Sequence, residues 1–175
     1  MKFSVLQSRL GSIALFARND HLAQLDLFPS GGPADARAWA GKAFPGAEED
    51  PRHFEPVARL LDNYLKGQEV EFTFPVDLSG LKPFTMRVLE ETRRIPYGRV
   101  ASYRSIALRL GRPEAARAVG QALKRNPIPL VIPCHRVIRN DGLLGGFTIG
   151  LDIKKRLLSM EGIEAHELRR SASFF

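Results

Sequence analysis

The sequence contains one cysteine in 175 residues. A lone thiol cannot form an internal disulfide, and it excludes every structural zinc site built on two or more thiolates. The four histidines, His21, His53, His135 and His166, lie far apart without ligand spacing, so no metal is expected. No apolar run approaches the roughly 20 residues of a membrane helix. The opening MKFSVL is broken at Gln7, Ser8 and Arg9, too short for the core of a signal peptide. A cytoplasmic protein with no membrane attachment is therefore expected. GxGxxG and P-loop spacings, internal repeats and low-complexity tracts are also lacking. What remains, 44% hydrophobic and 26% charged, is a globular composition and not a disordered one. The length suits one domain or two small ones.

Acidic residues are scarce in one half only. Residues 1–79 hold 8 Lys and Arg against 11 Asp and Glu, a net of −3. Residues 80–175 hold 18 against 8, a net of +10, and 14 of those cations are Arg. Arginine presents a fork of donors that matches phosphate and guanine edges, so this half suits a polyanion. A solvated basic face is the alternative, and charge alone weighs the two equally.

Residues 2–28 read as three short strands, with turn signals at Gly11-Ser12 and Asn19-Asp20. A helix carrying Trp39 follows, then a loose acidic stretch, PGAEEDP. Val57, Leu60, Leu61, Tyr64 and Leu65 recur at helical spacing, which predicts a helix over 56–66. VEFTFPV alternates, but Pro75 limits it to an edge strand or extended segment. Asp77-Leu78-Ser79-Gly80 is the expected linker between domains 1–79 and 80–175. The second half reads as mainly helical. Pro83 opens one helix. Ser102 caps YRSIALRL, which Gly111 ends. Pro113 opens a helix to about Arg125. A last helix, LDIKKRLLSM, runs up to Glu161.

Two features carry chemistry. Residues 102–125 have a helix–turn–helix outline. Its second helix carries Arg117, Gln121, Lys124 and Arg125, and small residues Ala115, Ala116, Ala118 and Gly120 permit close approach to a partner. Two ordinary packed helices would look the same, but the charge asymmetry favours DNA. The second feature is the only thiol, in Ile132-Pro133-Cys134-His135-Arg136. Lone cysteines are more often inert and buried. Here Pro133 fixes the adjacent backbone, and His135 and Arg136 are polar neighbours that favour thiolate. Glu161 is a candidate partner to orient His135. The alternative is a solvated carboxylate, oddly placed against the negative end of a helix dipole. Tyr103 is either a pocket hydroxyl or a core aromatic. Phe147 and Thr148 in the Gly-rich loop 145–150 form a candidate apolar and hydroxyl wall.

Pro133-Cys134-His135-Arg136, Asn126-Pro127, Arg117-Ala118-Val119-Gly120, and Ile95-Pro96-Tyr97-Gly98 with Ser102-Tyr103 resemble the O6-alkylguanine-DNA alkyltransferase family, also called methylated-DNA–protein-cysteine methyltransferases. The resemblance runs continuously from about residue 83 to Gly162; the first 80 residues match only in outline. It implies an α+β fold: a small N-terminal domain with a three-stranded ribonuclease-H-like sheet, then a helical domain with the helix–turn–helix. It also implies a one-shot repair enzyme that carries an alkyl group from guanine O6, with O4-alkylthymine as a second substrate, to its own cysteine and is consumed. No cofactor is implied. The expected partner is double-stranded DNA containing O6-alkylguanine, bound by a monomer, with cooperative loading along DNA left open.

The resemblance places the acceptor at Cys134, the general base at His135 and its polarising carboxylate at Glu161. Asn126 is similar to a hinge asparagine, Arg117 to an arginine that replaces the extruded base, and Tyr103 to a tyrosine that turns the nucleotide and protonates guanine N3. Ala118, Gly120, Gln121, Lys124, Arg125 and Arg136 complete the expected DNA-binding set. Val137, Phe147, Thr148 and Ile149 line the expected pocket. An alkyl carbon on a base edge is unreachable inside a duplex, so the base must be flipped at a cost of a few kcal/mol. A minor-groove approach needs little sequence readout. The chain departs from the family at Phe147, where many relatives have Tyr, and at Ile149, where some have Gly; a branched residue there would narrow the pocket against bulky adducts. Two other functions share these features: a DNA-binding module in which Cys134 is incidental, and a thiol hydrolase indifferent to DNA.

Overall fold

The computed structural model describes residues 1–164 and Leu168. The chain divides into two compact units, Met1–Leu78 and Ser79–Phe175. Residues 165–167 and 169–175, the end of the expected second domain, lie outside the described residues.

The first unit is a sheet with helices. Strands β1 (Lys2–Ser8), β2 (Gly11–Arg18) and β3 (His21–Phe28) form consecutive antiparallel hairpins. The second hairpin turns through Asn19 and Asp20, both at positive φ, as a tight two-residue turn requires. The first turns one step earlier than the sequence suggests, through Arg9-Leu10, because Gly11 is already the first rung of β2. A Cβ at Gly11 would stand 2.2 Å from the Phe28 carbonyl oxygen, so only glycine permits β3 to end there. Helix α1 (Pro33–Ala43) opens with proline at its first turn. It helps bury Phe3, Ala14, Phe16 and Ala40, with Trp39 edge-on to Phe16 at 5.8 Å and to Phe28 at 5.5 Å.

The acidic stretch is not wholly loose. Glu48–Glu49 forms β4, which pairs parallel with β1 and makes the sheet order β3-β2-β1-β4. Two residues are too few to show an alternation in sequence. Helix α2 (Glu55–Leu65) buries Val57, Leu61, Tyr64 and Leu65, the stripe expected from periodicity. The VEFTFPV segment is extended and touches the sheet by a single bridge, Leu22 with Val76.

The second unit is mainly helical: α3 (Pro83–Arg93), α4 (Tyr103–Arg109), α5 (Ala116–Leu123) and α6 (Leu151–Met160). Ser102 caps α4, its hydroxyl accepting from the Ser105 amide at 2.9 Å. Helix α5 begins three residues after Pro113, since residues 113–115 form turns and Ala115 offers no capping side chain. Two short strands absent from the sequence reading, β5 (Ala101–Ser102) and β6 (Val137–Ile138), pair in parallel. Val100, Ile138, Leu158 and Leu168 pack together beside this ladder. Among the described residues no helix is long and apolar enough to cross a membrane.

Candidate active site

Pro133 shapes the thiol's backbone. Its φ of −80° and ψ of 62° make an inverse γ-turn, closed by the Cys134 amide donating to the Ile132 carbonyl at 2.8 Å. Proline suits this position because its ring already holds φ in that range. Cys134 then starts a short 3-10 turn, Cys134–Arg136, that leads directly into β6. The register of β6 on β5 sets Val137 against Ala101 and Ile138 against Ser102, the residue before Tyr103. One small ladder therefore fixes both the thiol turn and the start of α4.

Asn126 binds the same turn from the end of α5. Its Nδ2 donates to the Ile132 carbonyl at 2.9 Å and to Cys134 Sγ at 3.2 Å. Its Oδ1 accepts from the Ile128 amide at 3.0 Å, which settles which way the amide faces. Within the loop so held, Leu130 adopts a φ of +73°, a costly conformation for a branched side chain.

His135, Arg136 and Glu161 form a buried charge network. His135 Nε2 lies 2.8 Å from Glu161 Oε1, and both side chains are wholly inaccessible to solvent. Arg136 Nε donates to Glu161 Oε2 at 2.9 Å, and its Nη2 donates to Oε1 at 3.1 Å. A third donor, Nη1, reaches the Ile95 carbonyl at 2.6 Å. Tyr97 lies under the guanidinium, 5.9 Å from ring centroid to Cζ, and donates its own hydroxyl to the Met160 carbonyl. Arg136, assigned from sequence to DNA contact, is thus corrected: it is buried beneath the site as the main counter-ion of Glu161. The network also explains a carboxylate at the end of α6. The buried Arg136 guanidinium and the His135 hydrogen bond outweigh the opposing helix dipole.

Burial opposes ionisation of Glu161, but hydrogen bonds and charge from His135 and Arg136 outweigh it and hold the carboxyl at about 2. Burial pushes the His135 pKa down against the pull of Glu161, so the imidazole is neutral near pH 7 and able to take a proton. Burial also raises the Cys134 thiol, partly offset by the Asn126 hydrogen bond and the charge of Lys154. The Tyr103 phenol is raised by burial and then by the nearby sulfur, so it stays protonated and can donate.

The remaining expected residues fall into two groups. Arg117, Ala118, Gln121, Lys124 and Arg125 are exposed along and just beyond α5, while Val119, Ala122 and Leu123 bury its other face. Gly120 faces the Tyr103 ring, where a Cβ would rest 3.6 Å away. On the loop, Phe147 stands edge-on to His135 at 6.5 Å, next to exposed Thr148 and half-buried Ile149. Val137 is buried, and its carbonyl accepts from Lys154. Sequence reasoning passed over Lys154. The signal was present: residues 154, 157, 158 and 161 share one helical stripe, and a cation there stands in line with two leucines.

Comparison with known proteins agrees with this geometry. A family described as "6-O-methylguanine DNA methyltransferase, DNA binding domain" matches residues 83–163, and its companion "ribonuclease-like domain" matches residues 1–78. A methylated-DNA–protein-cysteine methyltransferase of Methanosarcina barkeri is 37% identical over 165 residues, covering 92% of this chain and 97% of its own. One from Sulfolobus acidocaldarius is 45% identical over 121 residues, covering 69% of this chain and 76% of its own. The crystal structure of the Mycobacterium tuberculosis OGT in complex with DNA superposes with a TM-score of 0.80 at 31% identity, over 98% of this chain and all (100%) of that one.

Proposed function

Because the chain belongs to the 6-O-methylguanine DNA methyltransferase family, we propose that it repairs DNA by moving the alkyl group of O6-alkylguanine onto Cys134. The observation that carries the assignment is a lone thiol held by an asparagine N–H at 3.2 Å, next to a neutral buried histidine anchored on an ionised glutamate.

The sulfur attacks the alkyl carbon. A new S–C bond forms as the C–O6 bond breaks, and that electron pair passes to guanine. The thiol proton goes to His135, through Nδ1, the ring nitrogen opposite Glu161. Glu161 stabilises the imidazolium that results, and Arg136 keeps Glu161 charged and in place. Tyr103 donates its proton to guanine N3, which makes the base a better leaving group. The product is a thioether, which has no proton to lose and no further nucleophilic role, so each molecule acts once. Reaching O6 requires the base to leave the stack. Arg117 on the small-residue face of α5 fills the gap, and the exposed Gln121, Lys124 and Arg125 engage the backbone. O4-alkylthymine offers a related alkyl–oxygen bond and is the second substrate. The reading places the protein in the cytoplasm with its DNA.

The test is intact-protein mass after mixing with a short duplex carrying one O6-methylguanine. A gain of one methylene, mapped to Cys134 and stopping at one per molecule, is expected. Binding without mass change would overturn the transfer reading and leave a lesion-binding module. No binding and no mass change would point to a thiol hydrolase.

A further inference from the structure

Residues 92–140 carry 11 Lys and Arg but one acid, Glu114. That acid stands on the element assigned to DNA. Ala115, the next residue, accepts the first helical bond of α5, from the Val119 amide at 2.9 Å. Glu114 therefore lies at the amide end of the helix that carries Arg117. The turn that holds it is closed by the Ala115 amide, which donates to the Arg112 carbonyl at 2.9 Å. Residues 114, 117, 118, 121 and 125 recur at helical spacing, and all are exposed. The carboxylate thus shares the face that meets the duplex when Arg117 fills the gap in the stack.

An acid ahead of a helix is ordinarily explained by an ion pair or by the helix dipole. Among the described residues the Glu114 carboxylate has no ion pair and no hydrogen bond. Nearby cations are engaged elsewhere. Arg109 bonds Glu91 at 3.3 Å, and Arg112 lies over the Phe84 ring at 5.5 Å. Arg117, at the i, i+3 spacing that permits a pair, makes none with it. The dipole account works against DNA binding. The amide end of a helix attracts phosphate, and a carboxylate at that end offsets the attraction. It also repels the backbone of any duplex docked on α5, damaged or not.

We propose that Glu114 is a specificity-determining residue: its charge weakens the hold of α5 on undamaged duplex, so the protein exchanges between sites until it meets a lesion. The inference rests on α5 being the helix that docks on DNA. At a lesion, the extruded base in the pocket and Arg117 in the stack add contacts that undamaged duplex lacks, and these offset the repulsion. Undamaged sites are in vast excess, so the ratio of the two affinities matters more than tight binding. An unpaired charge set against the wrong partner is a general route to such a ratio.

The test compares Glu114→Gln with the native chain on undamaged duplex by fluorescence anisotropy. Near about 0.05 M salt, affinity is expected to rise about twofold to threefold, the effect of one charge several ångströms from a phosphate in water. The log–log slope against salt is expected to steepen, by at most about 0.9. A gain through helix stability alone would leave that slope unchanged. Glu114→Asp keeps the charge and is expected to bind as the native protein does. Glu55→Gln removes the same charge from α2 in the other unit and is expected to leave affinity unchanged. With undamaged duplex in large excess, Glu114→Gln is expected to repair O6-methylguanine about twofold to threefold more slowly, because more of it is held elsewhere. Unchanged or weaker binding by Glu114→Gln overturns the proposal, and so does an equal gain in Glu55→Gln. Native protein that binds duplex but accepts no methyl group overturns the functional reading alone, because the anisotropy comparison needs no transfer.

Discussion

At the residue scale, the site depends on groups that tolerate little replacement. Glu161 is shared by the Arg136 guanidinium and the His135 imidazole in a dry setting, so Glu161→Gln leaves Arg136 buried without a counter-charge. Breaking such a pair costs about 3–5 kcal/mol; denaturant unfolding should show a loss of that size. Gly145 has a φ of +68°, and a Cβ there would stand 2.8 Å from the Tyr103 hydroxyl oxygen. Gly145→Ala must therefore move the phenol. Single-turnover repair of duplex is expected to slow by about tenfold, equivalent to about 1.4 kcal/mol in the barrier. Cys134→Ser should retain duplex affinity and lose all transfer, read by gel shift and by mass.

At the scale of elements, α5 is where DNA affinity and base extrusion meet. Arg117→Ala is expected to slow repair of duplex more than reaction with the free base, because only the duplex has a stack to be opened. Equal slowing in a stopped-flow comparison would remove that role. The elements also show what is legible in sequence. The hairpins, α2 and α6 were readable because each repeats a period over at least seven residues. The strands β4, β5 and β6 were not, because two residues have no period; long-range pairing alone makes them strands. The site divides in the same way. Cys134 stood out as the only thiol and Glu161 as a candidate partner for His135, while Asn126 entered only through the family resemblance. Arg136 was misread because composition cannot distinguish an arginine facing DNA from one facing a buried carboxylate 25 residues away. Its neighbour His135 is turned to the same carboxylate, and only folding brings that carboxylate under them both.

At the scale of the whole molecule, charge governs both stability and binding. Glu161 is held at about 2 when folded, below the ordinary 4.5. A depressed carboxyl stabilises the fold fully above its unfolded pKa, and that contribution fades as pH falls from about 4.5 toward 2. Acid unfolding followed by circular dichroism should therefore lose stability across that window, and Glu161→Gln should flatten the loss. The half with a net of +10 predicts a steep salt dependence for duplex binding. Log affinity should fall against log salt with a slope near −0.9 for each phosphate neutralised. A flat response would remove the electrostatic account of binding.

The four residues of β5 and β6 work as a gauge block. The thiol turn ends where β6 begins, and the phenol-bearing helix begins where β5 ends. The backbones that carry nucleophile and proton donor thus start from one ladder, whose strands lie the roughly 4.8 Å apart that separates any two paired strands. Helix packing adapts to each change of side chain, but a backbone ladder does not. Substitutions can accumulate across the outer faces of α4 and α5, retuning the grip on DNA, while the backbone anchorage of the two reacting groups stays the same.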